Sequence, residues 1–216
     1  MAVIVVGGHS RNVGKTSVVA GIIARLPELH WTAMKITQFG HGFCTADGAP
    51  CDCRTDEHTI AISAERMGDT GTDSSRYLGA GAVKSLWVRT RQGNLAPAMP
   101  RIRKEIEAAE NVIIESNSVM QFLRPDLYLT VLDRGTADFK STARLYLDRA
   151  DAVLLHAPQL VPQWNGVSLK LLEGKRQFVI EPPDYISDEL VEFVRQRLLC
   201  ATEPHEASLR TVAQAT

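Results

Sequence analysis

Residues 2–7 (AVIVVG) form an unbroken, β-branched apolar run without polar alternation, the pattern of a strand buried on both faces of a parallel sheet. After GGHSRNVGKT, the positions Val18, Val19, Ile22, Ile23 and Leu26 recur at helical spacing, and Pro27 ends that helix. WTAMKIT at 31–37 predicts a second strand, and residues 38–58, rich in Gly, Cys, Asp and His with little to build a core, predict a functional loop. Short helices are predicted at 59–67 (TIAISAERM) and 74–81 (SSRYLGAG), a strand at 83–90, and a helix over 98–110 with Pro97 and Pro100 confined to its start. Strands are predicted again at 111–116, 126–133, 150–156 and 176–181, with helices near 139–149 and 187–200. Such alternation predicts an α/β fold: a doubly wound, mostly parallel sheet with helices on both faces. One domain over residues 1–200 and a loose tail at 201–216 complete the expectation.

Composition narrows the function classes. The 216 residues are 44% hydrophobic and 23% charged, which excludes collagen-like, coiled-coil and wholly disordered chains. Lys plus Arg number 24 against 25 Asp plus Glu, so net charge gives no general attraction to nucleic acid or anionic lipid, and phosphate binding must be local. The longest apolar runs, AVIVV and VVAGIIA, fall far short of the roughly 20 residues of a membrane-spanning helix. The first has no basic flank or small-residue cleavage site, so the expectation is a cytoplasmic protein without nucleic-acid or membrane partners.

The strongest chemical signal is GHSRNVGKTS, Gly8 to Ser17, between a buried strand and an amphipathic helix. Gly14 lets the backbone close around a phosphate, Lys15 reaches the β- and γ-phosphates, and the Thr16 hydroxyl can ligate Mg²⁺ at the positive end of the helix. The expected nucleotide-binding set is therefore Gly8, His9, Ser10, Arg11, Asn12, Val13, Gly14, Lys15, Thr16 and Ser17, with Asp133 from the end of a later strand. His9 occupies the first glycine position of the standard spacing, and Gly8 lies one residue further out; this longer loop resembles the dethiobiotin synthetase type within the SIMIBI group of P-loop proteins. A second site residue should come from the carboxyl end of a later strand. Two such ends carry acids, Glu115 and Asp133, and Glu115 is preferred because Ser116, Asn117 and Ser118 follow it as a small polar turn. The alternative for Glu115 is a solvated side chain beside a serine helix cap.

Three features together resemble the molybdopterin-guanine dinucleotide biosynthesis protein B (MobB) family: the phosphate loop, MKIT at the end of the second strand, and GTDSSRYLGAGAV at 71–83. In the last block Gly71, Asp73, Ser74, Arg76, Gly79, Ala80, Gly81 and Ala82 match the family's frame, with Thr72 in place of a basic residue; Glu115 matches its V-E-G acid, with Ser116 for the glycine. The resemblance spans about residues 2–135 and implies Mg²⁺-dependent NTP hydrolysis in cofactor or metal-centre biosynthesis, such as molybdenum cofactor assembly. No N-K-x-D or T-K-x-D motif occurs, so the base stays open between ATP and GTP. From the residues alone, Asp73 either caps the helix near Ser74 with a surface salt bridge or reaches Mg²⁺ or a phosphate-bound water, and Arg76 one turn on can meet an anion. The expected catalytic set is Lys15, Glu115 and Asp73, with Mg²⁺ on Thr16 and Glu115.

Cys44, Cys51 and Cys53, with His41 and His58, offer soft ligands, four of which suit Zn²⁺. Their C-x6-C-x-C-x4-H spacing matches no zinc-finger pattern, so redox-active thiols and an unreactive solvated loop remain alternatives. These residues leave two functions open: a P-loop NTPase or phosphoryl-transfer enzyme, or a nucleotide-gated adaptor or metallochaperone whose Cys/His loop hands metal to a partner. The expected partners are a nucleoside triphosphate, a protein of cofactor assembly and, as a homodimer, a second copy of the chain.

Overall fold

The computed structural model describes residues 1–39, 60–68, 70–158 and 161–202, with only the backbone for the last four of these. The chain alternates strand and helix as β1 (Ala2–Gly8), α1 (Lys15–Arg25), β2 (Trp31–Phe39), β3 (Ile60–Ala64), α2 (Asp73–Gly79), β4 (Lys84–Arg91), α3 (Leu95–Glu107), β5 (Asn111–Glu115), β6 (Leu127–Leu132), α4 (Ser141–Tyr146), β7 (Ala152–His156), β8 (Arg176–Ile180) and α5 (Asp188–Thr202). The strands form one eight-stranded sheet in the order β3-β4-β2-β5-β1-β6-β7-β8, parallel throughout except for β3 at one edge. This is the α/β fold with helices on both faces that the strand and helix pattern predicts.

Both faces of the central strands are covered, which is why their sequences run apolar without alternation. Ile4, Val6, Leu129 and Val131 point to one face and pack with Val18, Val19, Ile22 and Ile23 of α1, Tyr77 of α2 and Leu190 and Val194 of α5. Val5, Met34, Val112 and Ile114 point to the other, under Leu95, Ala98, Met99, Ile102 and Ile106 of α3. Leu132, Val153 and Leu155 continue that second face beneath Ala143 of α4 and Trp164.

Two elements differ from the sequence expectation. The helix expected at 59–67 is not formed over its described residues, 60–67: Ile60–Ala64 form β3, antiparallel to β4 with Ile62 opposite Val88. Ile60 and Ile62 alternate with small residues, a period of two, and the free backbone edge of β4 supplies partners that an isolated segment lacks. Helix α3 starts at Leu95 rather than 98, because Pro97 lies in the first turn, where its missing N–H has no helical partner to lose; Pro100 is accommodated inside. No helix among the described residues is long and apolar enough to cross a membrane.

Candidate functional site

β1 delivers the loop to the carboxyl edge of the sheet, and α1 leaves from Lys15. Gly14 caps that helix at φ 94°, and a Cβ there would lie 2.1 Å from Cε1 of Tyr185, so only glycine serves at this point. The loop is held from several sides. Asn117, just past β5, accepts from the Gly8 N–H and donates to the Gly8 carbonyl, both at 2.8 Å and both buried. His156 at the end of β7 donates to the Val13 carbonyl at 2.9 Å, and the Lys140 N–H donates to the His9 carbonyl at 2.8 Å.

His9 does not line the cleft. Its ring is fully buried against Phe139 and Trp164. Its Nε2 accepts the Asp133 N–H at 2.9 Å, which leaves the proton on Nδ1 to be donated to the Asp138 carbonyl at 2.7 Å. Burial lowers its pKa, in keeping with a neutral ring. His9 thus braces the loop against the β6–α4 connection. Asp133 turns to its own loop, accepting from the Gly135 N–H at 2.9 Å and the Thr136 hydroxyl at 2.6 Å, and it does not line the cleft.

The loop opens into a cleft of about 1030 Å³ at the carboxyl ends of β1, β2 and β5. Arg11, Asn12, Gly14, Lys15, Thr16 and Ser17 line it, whereas Gly8, His9, Ser10 and Val13 do not. Lys15 donates to the Ser10 carbonyl at 3.0 Å, and burial pushes its pKa down to about 8. Lys140 lines the same cleft, its pKa lowered by burial and by the charge of Arg11.

Beside Lys15 lies a charged cluster. Lys35 and Glu115 are register partners on the adjacent parallel strands β2 and β5, so their side chains leave the same face of the sheet. Lys35 Nζ sits 2.7 Å from Glu115 Oε1 and 2.6 Å from Asp73 Oδ2. The Thr16 hydroxyl donates to Glu115 Oε2 at 2.8 Å, and the Tyr77 hydroxyl donates to the same oxygen. Glu115 is 4% exposed, so its solvated alternative does not describe it, although Ser116 does cap the following turn, accepting from the Val119 N–H at 3.2 Å. Burial works against the charge on Asp73, but the hydrogen bond and charge of Lys35, with help from Thr16 and Arg76, hold its carboxyl below the ordinary range. Burial and the neighbouring Glu115 raise the Tyr77 phenol well above its usual value, so it stays a neutral donor.

The GTDSSRYLGAGAV block brings Asp73, Arg76 and Tyr77 to this cluster. Its helix is capped by Thr72, whose hydroxyl oxygen accepts from the Ser75 N–H at 3.0 Å, which leaves the Asp73 carboxylate to Lys35. Arg76 donates to Ser17 Oγ at 3.1 Å, and Gly79 packs so closely on Gly68 that a Cβ would meet its carbonyl at 2.9 Å. Sequence reasoning assigned no role to Lys35, Tyr77, Lys140 or Tyr185. Only Lys35 left a signal, the one charged residue in its strand. Cys44, Cys51, Cys53, His41 and His58 lie outside the described residues.

Strand, glycine loop, lysine-led helix and an acid on the neighbouring strand together define an α/β protein with a P-loop. No family model matches the chain, and no curated protein matches it. Solved structures resemble it in fold. HypB from Helicobacter pylori, in complex with nickel, is 14% identical over 91% of this chain and 85% of its own, with a TM-score of 0.47. LpxK from Aquifex aeolicus, in complex with ATP, is 20% identical over 83% and 53%, with a TM-score of 0.44. A Zn(II)-bound triple mutant of the YjiA GTPase is 16% identical over 88% and 60%, with a TM-score of 0.40.

Proposed function

We propose that the chain is a Mg²⁺-dependent NTPase, using ATP or GTP, that serves cofactor or metal-centre biosynthesis as its MobB-like motifs imply. The observation that carries the hydrolytic reading is the pairing of a half-buried Lys15, which donates to the Ser10 carbonyl and to no carboxylate, with the Thr16–Glu115–Asp73 oxygens in one cleft. Lys15 and the N–H groups at the start of α1 bind the β- and γ-phosphates, and Arg11 and Lys140 add positive charge beyond them.

The donor set fits Mg²⁺: two carboxylates and a hydroxyl, all hard oxygens from three different elements, leave the remaining positions for phosphate oxygens and water. Thr16, Glu115 and Asp73 are the residues that would hold the ion, which when bound neutralises charge developing on the transferred phosphoryl group. Tyr77 and Lys35 fix the Glu115 carboxylate in orientation from both of its oxygens.

Nucleotide affinity and phosphate release in two variants test the reading. Lys15→Ala should abolish binding with the fold intact by circular dichroism, and unchanged affinity would overturn the proposal. Glu115→Gln should bind nucleotide near normally but lose roughly a hundredfold in turnover, the scale of a lost transition-state contact.

A further inference from the structure

Lys35 occupies an unusual position, and its role deepens the Mg²⁺–nucleotide reading and rests on it. Its Nζ lies 2.7 Å from Glu115 Oε1, 2.6 Å from Asp73 Oδ2 and 3.4 Å from Thr16 Oγ1. These are the three residues assigned to the divalent cation, and they come from β5, α2 and α1, while Lys35 comes from β2. Glu115 and Asp73 are also the only carboxylates among the described residues lining the cleft, and Lys15 pairs with neither, since its ammonium donates to the Ser10 carbonyl. One ammonium therefore sits at the point on which all the cation's protein oxygens converge.

We infer that Lys35 is the counter-ion that holds the divalent-cation position in the nucleotide-free protein, and that it makes cation binding conditional on the nucleotide. Without Lys35, two carboxylates beside a buried hydroxyl would form a negatively charged oxygen site open to bare Mg²⁺. With it, half of that charge is offset, and a bare divalent ion would meet an ammonium that has no other carboxylate among the described residues of the cleft to turn to. A nucleotide changes this, because its phosphates offer Lys35 a new anionic partner while the ion takes over the carboxylates. Lysine suits the exchange: its charge is compact and its four-carbon stem flexible, so the ammonium can change partner without movement of the strand.

Mn²⁺ binding followed by electron paramagnetic resonance tests this, with the full chain alone and with non-hydrolysable ATP and GTP analogues. The wild type should bind Mn²⁺ weakly by itself and much more tightly with an analogue. Lys35→Met should bind Mn²⁺ alone about tenfold more tightly while its Mn²⁺ affinity in the analogue complex stays the same, so that the coupling between ion and nucleotide shrinks about tenfold, and by reciprocity Mn²⁺ should strengthen analogue binding about tenfold less than in the wild type. Lys35→Arg, which keeps the charge, should remain weak for Mn²⁺ alone. Lys35→Gln, which keeps N–H donors toward the carboxylates, repeats the test should the methionine variant not fold. Unchanged or weaker binding of Mn²⁺ alone in the neutral variants, with analogue binding by the wild type intact, would overturn this inference and make Lys35 a fixed structural partner. If the wild type binds no analogue, the NTPase reading falls and this inference with it.

Discussion

At pH 8 about half of Lys15 should be uncharged in the nucleotide-free protein, because burial pushes its pKa from 10.5 down to about 8. At about 1.4 kcal/mol per pH unit, that shift amounts to a penalty on the order of 3 kcal/mol on the charged form. A triphosphate supplies the missing counter-charge, so binding above pH 8 must draw a proton onto Lys15. Nucleotide affinity should be flat up to pH 8 and then fall by about tenfold per pH unit toward 10.5. Calorimetry of non-hydrolysable ATP and GTP analogues between pH 7 and 9.5, in buffers of different protonation enthalpy, reads both affinity and proton uptake. About half a proton should be taken up at pH 8 and nearly one at pH 9. Lys140 is also lowered and shares the cleft, so Lys140→Met should keep the slope. Affinity independent of pH, or a slope that vanishes in Lys140→Met, would refute the assignment to Lys15. The same shift bears on folding: between about pH 8 and 10.5 the unfolded chain binds more protons at Lys15 than the folded one. The Lys15 contribution should therefore raise stability with pH across that window, its cost being fully present below pH 8.

Two loop contacts yield further tests. Asn117→Ala removes both 2.8 Å hydrogen bonds to Gly8 and leaves its N–H and carbonyl without those partners, so urea unfolding should show a loss of about 2–3 kcal/mol with weakened nucleotide binding; a loss below about 0.5 kcal/mol would mean that the pair does not hold the loop. Gly14→Ala should abolish nucleotide binding, since its Cβ meets Tyr185 at 2.1 Å and its φ is 94°. Adding Tyr185→Ala should recover only part of the affinity, and full recovery in the double variant would show that the backbone conformation plays no part.

The chemistry of the phosphate loop was legible in order along the chain, because everything it needs is local: an apolar strand, glycines where the backbone turns, then lysine and threonine opening a helix. The parallel sheet was legible for a similar reason, since strands covered on both faces must read as continuous apolar runs, and β1 and β5 do. β3 was not, because a five-residue segment becomes a strand only when a neighbour such as β4 offers its edge. Distant pairings were equally hidden. His9 looks like a phosphate-loop residue in sequence, yet Phe139, Trp164 and the Asp133 N–H, more than 120 positions away, draw it into the core. Lys35, Asp73 and Glu115 are separated by tens of residues and belong to three elements whose sequence order differs from their order in space. Each local sequence allowed such a side chain; only the β2–β5 register and the placement of α2 over α1 turned the three charges toward one point.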